Sequence, residues 1–117
     1  MKNRPFPHRL GFALAGIVEA LRSENSFRLQ CLAAGGVLVA LIGLRPAPIW
    51  WAVVALAVAM VLAAEQFNTA LERLADLVDP GFRPEIKIAK DCAAGAVLLA
   101  SLGALAVAAA FVVALLS

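Results

Sequence analysis

Three long stretches without a charged side chain constrain the fold of this sequence most. They cover residues 29–44, 46–64 and 92–117. A helix of about 20 predominantly apolar residues crosses the hydrocarbon core of a membrane, so each stretch is a candidate span once its flanking residues contribute. The chain of 117 residues is 63% hydrophobic with a mean hydropathy of +0.92, which is far too apolar for an ordinary soluble domain. The sequence therefore predicts one small all-α membrane domain.

The segment before these stretches is too polar to span but has the pattern of an amphipathic helix. Five apolar residues share one face of a helix over about 9–24, namely Leu10, Leu14, Ile17, Val18 and Leu21. We expect this helix to lie along the membrane interface, after an irregular arm at residues 1–8 that contains Pro5 and Pro7. Glu24, at its end, is either a functional carboxylate or a terminal residue that turns to water.

Turn signals divide the rest of the chain into three spans. These are predicted at about 25–44, 49–78 and 86–116. A tight hairpin at 45–48 separates the first two, and Trp50 and Trp51 follow it as interfacial aromatics. The second helix is expected to continue past the lipid boundary until Pro80 ends it. The third span starts within 86–91, and its many small residues suit close helix packing.

Lysine and arginine lie mostly on one side of the predicted spans. Five precede the first uncharged stretch (Lys2, Arg4, Arg9, Arg22, Arg28) and four lie between the second and third (Arg73, Arg83, Lys87, Lys90), against Arg45 in the first hairpin. Because positive loops stay inside, the N-terminus and the second connection are predicted to be cytoplasmic.

The cysteines and the histidine do not indicate a metal or disulfide site. Cys31 and Cys92 lie in apolar segments and are interpreted as packing residues, and His8 as a solvated one. We expect no cleavable signal peptide, because the first long apolar run begins only after Arg28. No basic stripe with interleaved aromatics indicates nucleic acid as a partner.

Carboxylates, an amide and amines crowd the band between the second and third uncharged stretches. On a helix that turns by about 100° per residue, one stripe is formed by Glu65, Thr69, Glu72 and Asp76, with Asn68 on its edge. Polar groups near membrane depth are expensive, which makes this stripe a hypothesis for a site. A solvated helix end explains Asp76 equally well, but not Glu65, which directly follows an uncharged stretch.

This band contains the groups that phosphoryl transfer needs. Carboxylates bind Mg²⁺ when phosphate supplies further oxygens, lysines neutralise phosphate, and a partly desolvated carboxylate can act as a base. The α-carbons of Glu65 and Glu72 would lie about 10 Å apart, which suits a phosphate chain with its metal. Gly11 and Gly16 have Walker spacing, but Ile17 stands where lysine is required, so any nucleotide site must be built on helices.

Two motifs resemble those of the small prokaryotic integral-membrane diacylglycerol kinases and their undecaprenol kinase relatives. They are Glu65-Gln-Phe-Asn68-Thr69-Ala70-Leu-Glu72, followed by Asp76, and Lys90-Asp91-Cys-Ala-Ala-Gly95-Ala-Val. The segment Glu24-Asn25-Ser-Phe27-Arg28 also looks like the family's segment before its first span. The resemblance covers nearly the whole chain. It implies a homotrimer in the bacterial inner membrane, with a surface helix and three spans per subunit, and with ATP and lipid sites at subunit interfaces on the cytoplasmic side.

The resemblance also implies a role for each matched residue. Glu65 corresponds to the general base for the lipid hydroxyl, and Asn68 to an amide of the catalytic site. Glu24 and Glu72 correspond to the carboxylates that bind ATP through Mg²⁺. Lys90, Asp91 and Phe12 are expected to bind ATP. Arg9 and Ala94, together with Glu65, are expected to bind the lipid. Asp76 and Thr69 are expected as further residues of the site.

The chain departs from the better-known diacylglycerol kinases near the nucleotide. Phe12 stands where they have a tyrosine, and the arginine expected upstream falls near Pro5, leaving Arg4 or Arg9 as stand-ins. The small residues at 93–96 look somewhat more like the undecaprenol kinase branch.

We therefore predict an ATP- and Mg²⁺-dependent lipid kinase that converts diacylglycerol to phosphatidic acid, with undecaprenol as the alternative acceptor. Two other classes stay open on the residues alone. A small multidrug or ion transporter should need acidic residues well inside a span. A purely structural membrane subunit would tolerate neutral residues in place of Glu24, Glu65 and Glu72 together.

Overall fold

The computed structural model describes residues 2–81 and 83–117. The described residues form four helices and no strand: α1 (Phe6–Ser23), α2 (Asn25–Leu44), α3 (Pro48–Val78) and α4 (Pro84–Leu116). Helices α2, α3 and α4 are each long and apolar enough to cross a membrane. The predicted fold class, an all-α membrane protein with one amphipathic helix before three spans, is confirmed.

Prolines mark the starts of three helices. Helix α1 begins at Phe6, three residues before the predicted start, so the arm predicted for 1–8 is wrong for its last three residues. Pro7 lies in the first turn of α1, where its missing N–H would have had no helical partner. For the same reason α4 accepts Pro84 in its first turn and begins two residues before the earliest predicted start.

Glu24 is the corner between α1 and α2. Its backbone is extended, with φ −115° and ψ 111°, so the stripe of α1 ends at Ser23 and does not reach it. Its N–H donates to the carbonyl of Ala20 at 2.9 Å, and its own carbonyl accepts from the N–H of Arg28 at 3.1 Å. Ala20 and Phe27 are buried beside this corner. The turn therefore closes one helix and opens the next with a single residue.

Helix α3 is the centre of the bundle. It packs extensively along α4 and more lightly against α2 and α1, and no close backbone contact joins α2 to α4 in the ranges 2–81 and 83–117. The rings of Trp50 and Phe111 meet edge to face with centroids 5.2 Å apart, which joins the start of α3 to the end of α4. A groove of about 390 Å³ lies between α2 and α4 over α3, and Gln30 and Ser101 are the polar side chains among its lining residues.

Most side chains of the three spans are exposed in the single chain. Among the described residues of α4 none is buried, and α2 and α3 bury only a few. Helix α3 has 31 residues and α4 has 33, so they are about 46 and 50 Å long. Both exceed the roughly 30 Å of a hydrocarbon core, which leaves their charged ends outside it.

Candidate functional site

Glu65 is the buried charged residue at the centre of the polar band. Its side chain points from α3 toward α2, and the residue is only 7% exposed. Ser26 Oγ donates a hydrogen bond to Glu65 Oε1 at 2.9 Å, and Gln30 Nε2 donates to Glu65 Oε2 at 3.2 Å. Both donors are neutral, and no ion pair reaches Glu65 within the described part of the chain. A carboxylate is thus fixed near the membrane boundary without a cation beside it.

Two further residues of the predicted stripe lie next to Glu65 along α3. Thr69, one turn later, is buried. Asn68 is half-buried, and its Oδ1 atom has no hydrogen-bond partner among the residues described. A buried carbonyl oxygen without a donor is costly, so this oxygen is suited to accept a hydrogen bond from a bound molecule.

Arg73 connects the corner at Glu24 to α3. Its guanidinium lies 3.9 Å from a carboxylate oxygen of Glu24 and 4.0 Å from one of Glu19, and it donates a hydrogen bond to Ser23 Oγ. These contacts bring Glu24 to the part of α3 that carries Glu72. The two expected metal-binding carboxylates, Glu24 and Glu72, are therefore on neighbouring elements, although the sequence separates them by 48 positions.

The start of α4 brings cations to the end of α3. Lys90 Nζ lies 2.6 Å from Asp76 Oδ1, and the Glu72 carboxylate, one turn before Asp76, also attracts this ammonium. Asp91 instead pairs along its own helix with Lys87 at 2.7 Å and is exposed. Glu72 itself is exposed and has no ion pair or hydrogen-bonding side chain of its own in the described ranges.

The carboxylates fit a phosphate-bound metal better than a metal held by protein alone. Among the described residues no three acidic, histidine or cysteine side chains converge on one point. Mg²⁺ is commonly bound through one or two carboxylates with phosphate oxygens completing its shell. Glu72, which is unpaired in the described part, and Glu24, whose contact with Arg73 is long, are side chains of the right kind for that arrangement.

The residues expected on the surface helix lie apart from the acids. Arg9 and Phe12 line a depression of about 300 Å³ on α1, together with Lys2 and Ala13. Neither Arg9 nor Phe12 is hydrogen-bonded or ion-paired to an acid of α3 in the ranges described. Ala94 is exposed on α4. A single chain thus joins the carboxylate part of the predicted site but not its surface-helix part.

Sequence reasoning missed the partners of Glu65 and the role of Arg73. Ser26 and Gln30 are four residues apart and share a face of α2, and Gln30 is the one amide within the uncharged stretch 29–44. A polar side chain inside an apolar stretch was the signal that could have identified it. Arg73 carried no such signal, because an arginine at a helix end is usually solvated.

Three apolar helices, with carboxylates, amides and amines gathered at one end, define a multi-pass membrane protein with a polar site at the boundary of its spans. Comparison with known families makes this assignment specific. The chain belongs to the prokaryotic diacylglycerol kinase family, whose model matches residues 11–112.

Two curated relatives illustrate the range of this similarity. A diacylglycerol kinase from Synechocystis sp. is 41% identical over 97 residues, which are 82% of this chain and 55% of that protein. An undecaprenol kinase from Bacillus subtilis is 37% identical over 82 residues, which are 70% of this chain and 67% of that protein. The chain thus matches only about half the length of the cyanobacterial relative.

Proposed function

We propose that this protein is a lipid kinase that transfers the γ-phosphoryl group of ATP to the hydroxyl of diacylglycerol, giving phosphatidic acid and ADP. Family membership and the names of both relatives support the reaction class. The observation that carries the proposal is Glu65, a buried carboxylate that pairs with no cation of residues 2–81 and 83–117. It lies beside the part of the fold that gathers Glu24, Glu72 and Lys90.

Each residue of the site has a separate role in the proposed reaction. Glu65 accepts the proton of the lipid hydroxyl, whose oxygen attacks the γ-phosphorus as ADP leaves. The open acceptor Asn68 Oδ1 orients the reacting groups, with Thr69 beside it. Lys90 neutralises phosphate charge, and Asp76 holds Lys90 until ATP arrives. Asp91 is the orienting acid on the adenosine side. On α1, Phe12 would contact the nucleotide and Arg9 the lipid headgroup, with Ala94 on the lipid side of α4.

Mg²⁺ is the metal that the donor set fits. Glu24 and Glu72 would hold it against the ATP phosphates, where a bound Mg²⁺ supplies charge neutralisation of the phosphoryl group. Lysine and arginine are concentrated before the uncharged stretch 29–44 and between the uncharged stretches 46–64 and 92–117, which favours a cytoplasmic site in a bacterial inner membrane. A homotrimer, which the family resemblance implies, remains our expected assembly, and three spans with so few buried residues leave large surfaces for it to cover.

The test is phosphorylation of defined lipids by purified protein. Labelled ATP and Mg²⁺ are incubated with diacylglycerol or undecaprenol in mixed micelles, and the lipid product is identified. We expect Glu65→Gln to abolish turnover, because the amide cannot accept the hydroxyl proton. The matched control is Glu85→Gln, which neutralises an exposed acid in the first turn of α4 and should leave turnover unchanged.

Product identity separates the candidates. Undecaprenyl phosphate as the main product would favour the alternative acceptor, which the Bacillus subtilis relative supports. Cation-driven uptake into proteoliposomes without lipid phosphorylation would support a transporter. Full turnover by Glu65→Gln would contradict the role of Glu65 as the base.

A further inference from the structure

The Glu65 carboxylate is held on both of its oxygens by one face of α2. Ser26 bonds Oε1 and Gln30 bonds Oε2, and these two donors lie on consecutive turns of the helix. Two hydrogen bonds to different oxygens fix the rotation of the carboxylate about its last bond. A carboxylate offers about four lone-pair sites, so this arrangement leaves two of them open for a proton.

Both donors are uncharged, which matters for a group that must accept a proton. A lysine or arginine at hydrogen-bonding distance would stabilise the negative carboxylate strongly and oppose its protonation. A hydroxyl and an amide fix the orientation of the group with less of that effect. Arg28 lies between Ser26 and Gln30 in sequence, but its guanidinium turns away to Asn25 and to the carbonyl of Arg22.

Among the described residues, Glu65 is the one hydrogen-bond partner that fixes the orientation of the Gln30 amide. Its Nε2 donates to Glu65, whereas its buried Oε1 accepts no hydrogen bond from the residues described. Leaving a buried acceptor unpaired costs free energy, so the Oε1 atom does not explain why this amide is here. In the described chain, the hydrogen bond that the amide forms is the one from Nε2 to Glu65. In the groove between α2 and α4 the same position would otherwise suit an apolar side chain.

We propose that Ser26 and Gln30 are positioning residues that hold the Glu65 carboxylate aimed at the acceptor hydroxyl. This inference rests on the proposed lipid kinase function. Both side chains bond the Glu65 carboxylate itself, so they act through Glu65. Their contribution is therefore to the rate of the chemical step.

The experiment compares kcat and KM of variants in mixed micelles with saturating lipid. We expect Ser26→Ala and Gln30→Met each to lower kcat by about ten- to a hundredfold, because a misplaced reacting group loses that much. The KM for ATP should stay at its wild-type value. Ser26→Thr keeps the hydroxyl and should retain most of the wild-type kcat, which a purely packing role does not predict.

Two matched controls alter neighbouring small side chains that do not contact Glu65. Cys31→Ala changes the residue after Gln30 on α2, and Ser101→Ala removes the hydroxyl across the groove. Both should keep the wild-type kcat. All values are calculated per folded protein, measured by circular dichroism and gel filtration, and Ser26→Ala decides the matter if Gln30→Met does not fold.

The outcomes distinguish this inference from the function on which it rests. If wild-type protein phosphorylates no lipid alcohol, both fall. If the wild type is active and Glu65→Gln is not, but Ser26→Ala and Gln30→Met keep full kcat, the positioning role alone is overturned. A loss confined to the KM for ATP would overturn it as well.

Discussion

At the scale of single residues, Asn68 carries a polar atom whose burial should cost the protein stability. Its Oδ1 is buried without a hydrogen-bond partner in the described chain, one turn from the carboxylate of Glu65. Leaving a buried acceptor unpaired costs about 1–3 kcal/mol. Such a cost is tolerated where a bound molecule supplies the missing donor.

Replacing Asn68 should therefore have opposite effects on stability and activity. We expect Asn68→Leu to raise the free energy of unfolding by about 1 kcal/mol, because the open acceptor is removed. Lipid phosphorylation should fall at least tenfold, because the reacting groups lose their orientation. Thermal unfolding in detergent and the micelle kinase assay measure the two effects.

The control for this variant is Asn3→Leu, which changes an exposed amide near the N-terminus and should alter neither property. A loss of stability in Asn68→Leu would mean that its oxygen has a donor in the assembled protein. That outcome would contradict the role given to the open acceptor.

At the scale of helices, polar contacts connect three elements to α3. Ser26 and Gln30 connect α2 to Glu65, Arg73 connects the corner at Glu24, and Lys90 of α4 pairs with Asp76. Exposed ion pairs contribute little stability by themselves. Here they set the relative positions of the helices, because they bring the acids and cations of separate helices to the same end of the bundle.

Lys90 pairs with Asp76 and is also proposed to bind a phosphate of ATP. Exchanging the charges of Lys90 and Asp76 separates these two roles. Lys90→Met should raise the KM for ATP about tenfold, the equivalent of one lost charge-assisted hydrogen bond. The double variant Asp76→Lys with Lys90→Asp rebuilds the ion pair in reverse. We expect it to fold like wild type but to keep the defect toward ATP, measured by steady-state kinetics.

Recovery of the wild-type KM in the double variant would contradict phosphate binding by Lys90 and leave it a purely structural partner of Asp76. The control is Arg83→Met, which breaks the ion pair of this exposed side chain with Asp79 and should change the KM for ATP little.

The sequence was sufficient for the helices but not for these contacts. Uncharged stretches and turn signals predicted three helices, and the amphipathic pattern predicted the first. Where a proline lies in the first turn, the helix starts one to three residues earlier than predicted. The stripe from Glu65 to Asp76 was also visible from periodicity. Its partners were not, because Glu65 meets residues 35 and 39 positions away, and such pairings depend on how two helices rotate and cross.

At the scale of the whole molecule, one chain does not complete the predicted site. Arg9 and Phe12 lie apart from the α3 acids, and Asp91 pairs along its own helix. The spans are largely exposed, which leaves broad apolar surfaces for lipid or for further copies of the chain. A second subunit is therefore the natural source of the missing side chains in the proposed homotrimer.

Mixing two defective variants tests whether sites are shared. Glu65→Gln and Asp91→Asn should each be strongly impaired alone. Co-reconstituted in equal amounts, they should recover about a quarter of wild-type activity, if Glu65 and Asp91 of one site come from different subunits that mix randomly in a closed ring.

Activity that stays at the level of the separate variants after mixing would place both residues of each site in one subunit. The control is a mixture of Glu65→Gln with Asn68→Leu, two changes on the same α3 helix, for which no recovery is expected.

The position of Glu65, directly after the uncharged stretch of α3 and buried against α2, has a consequence for which alcohols can react. The carboxylate is fixed at one height along the membrane normal. In the proposed reaction, a hydroxyl reaches this carboxylate only if its lipid places the hydroxyl at the same depth in the membrane, whatever the length or branching of the lipid tail. Immersion depth would then decide substrate choice more than tail shape does, and one such protein could accept chemically distant lipids that carry their hydroxyls at the same level.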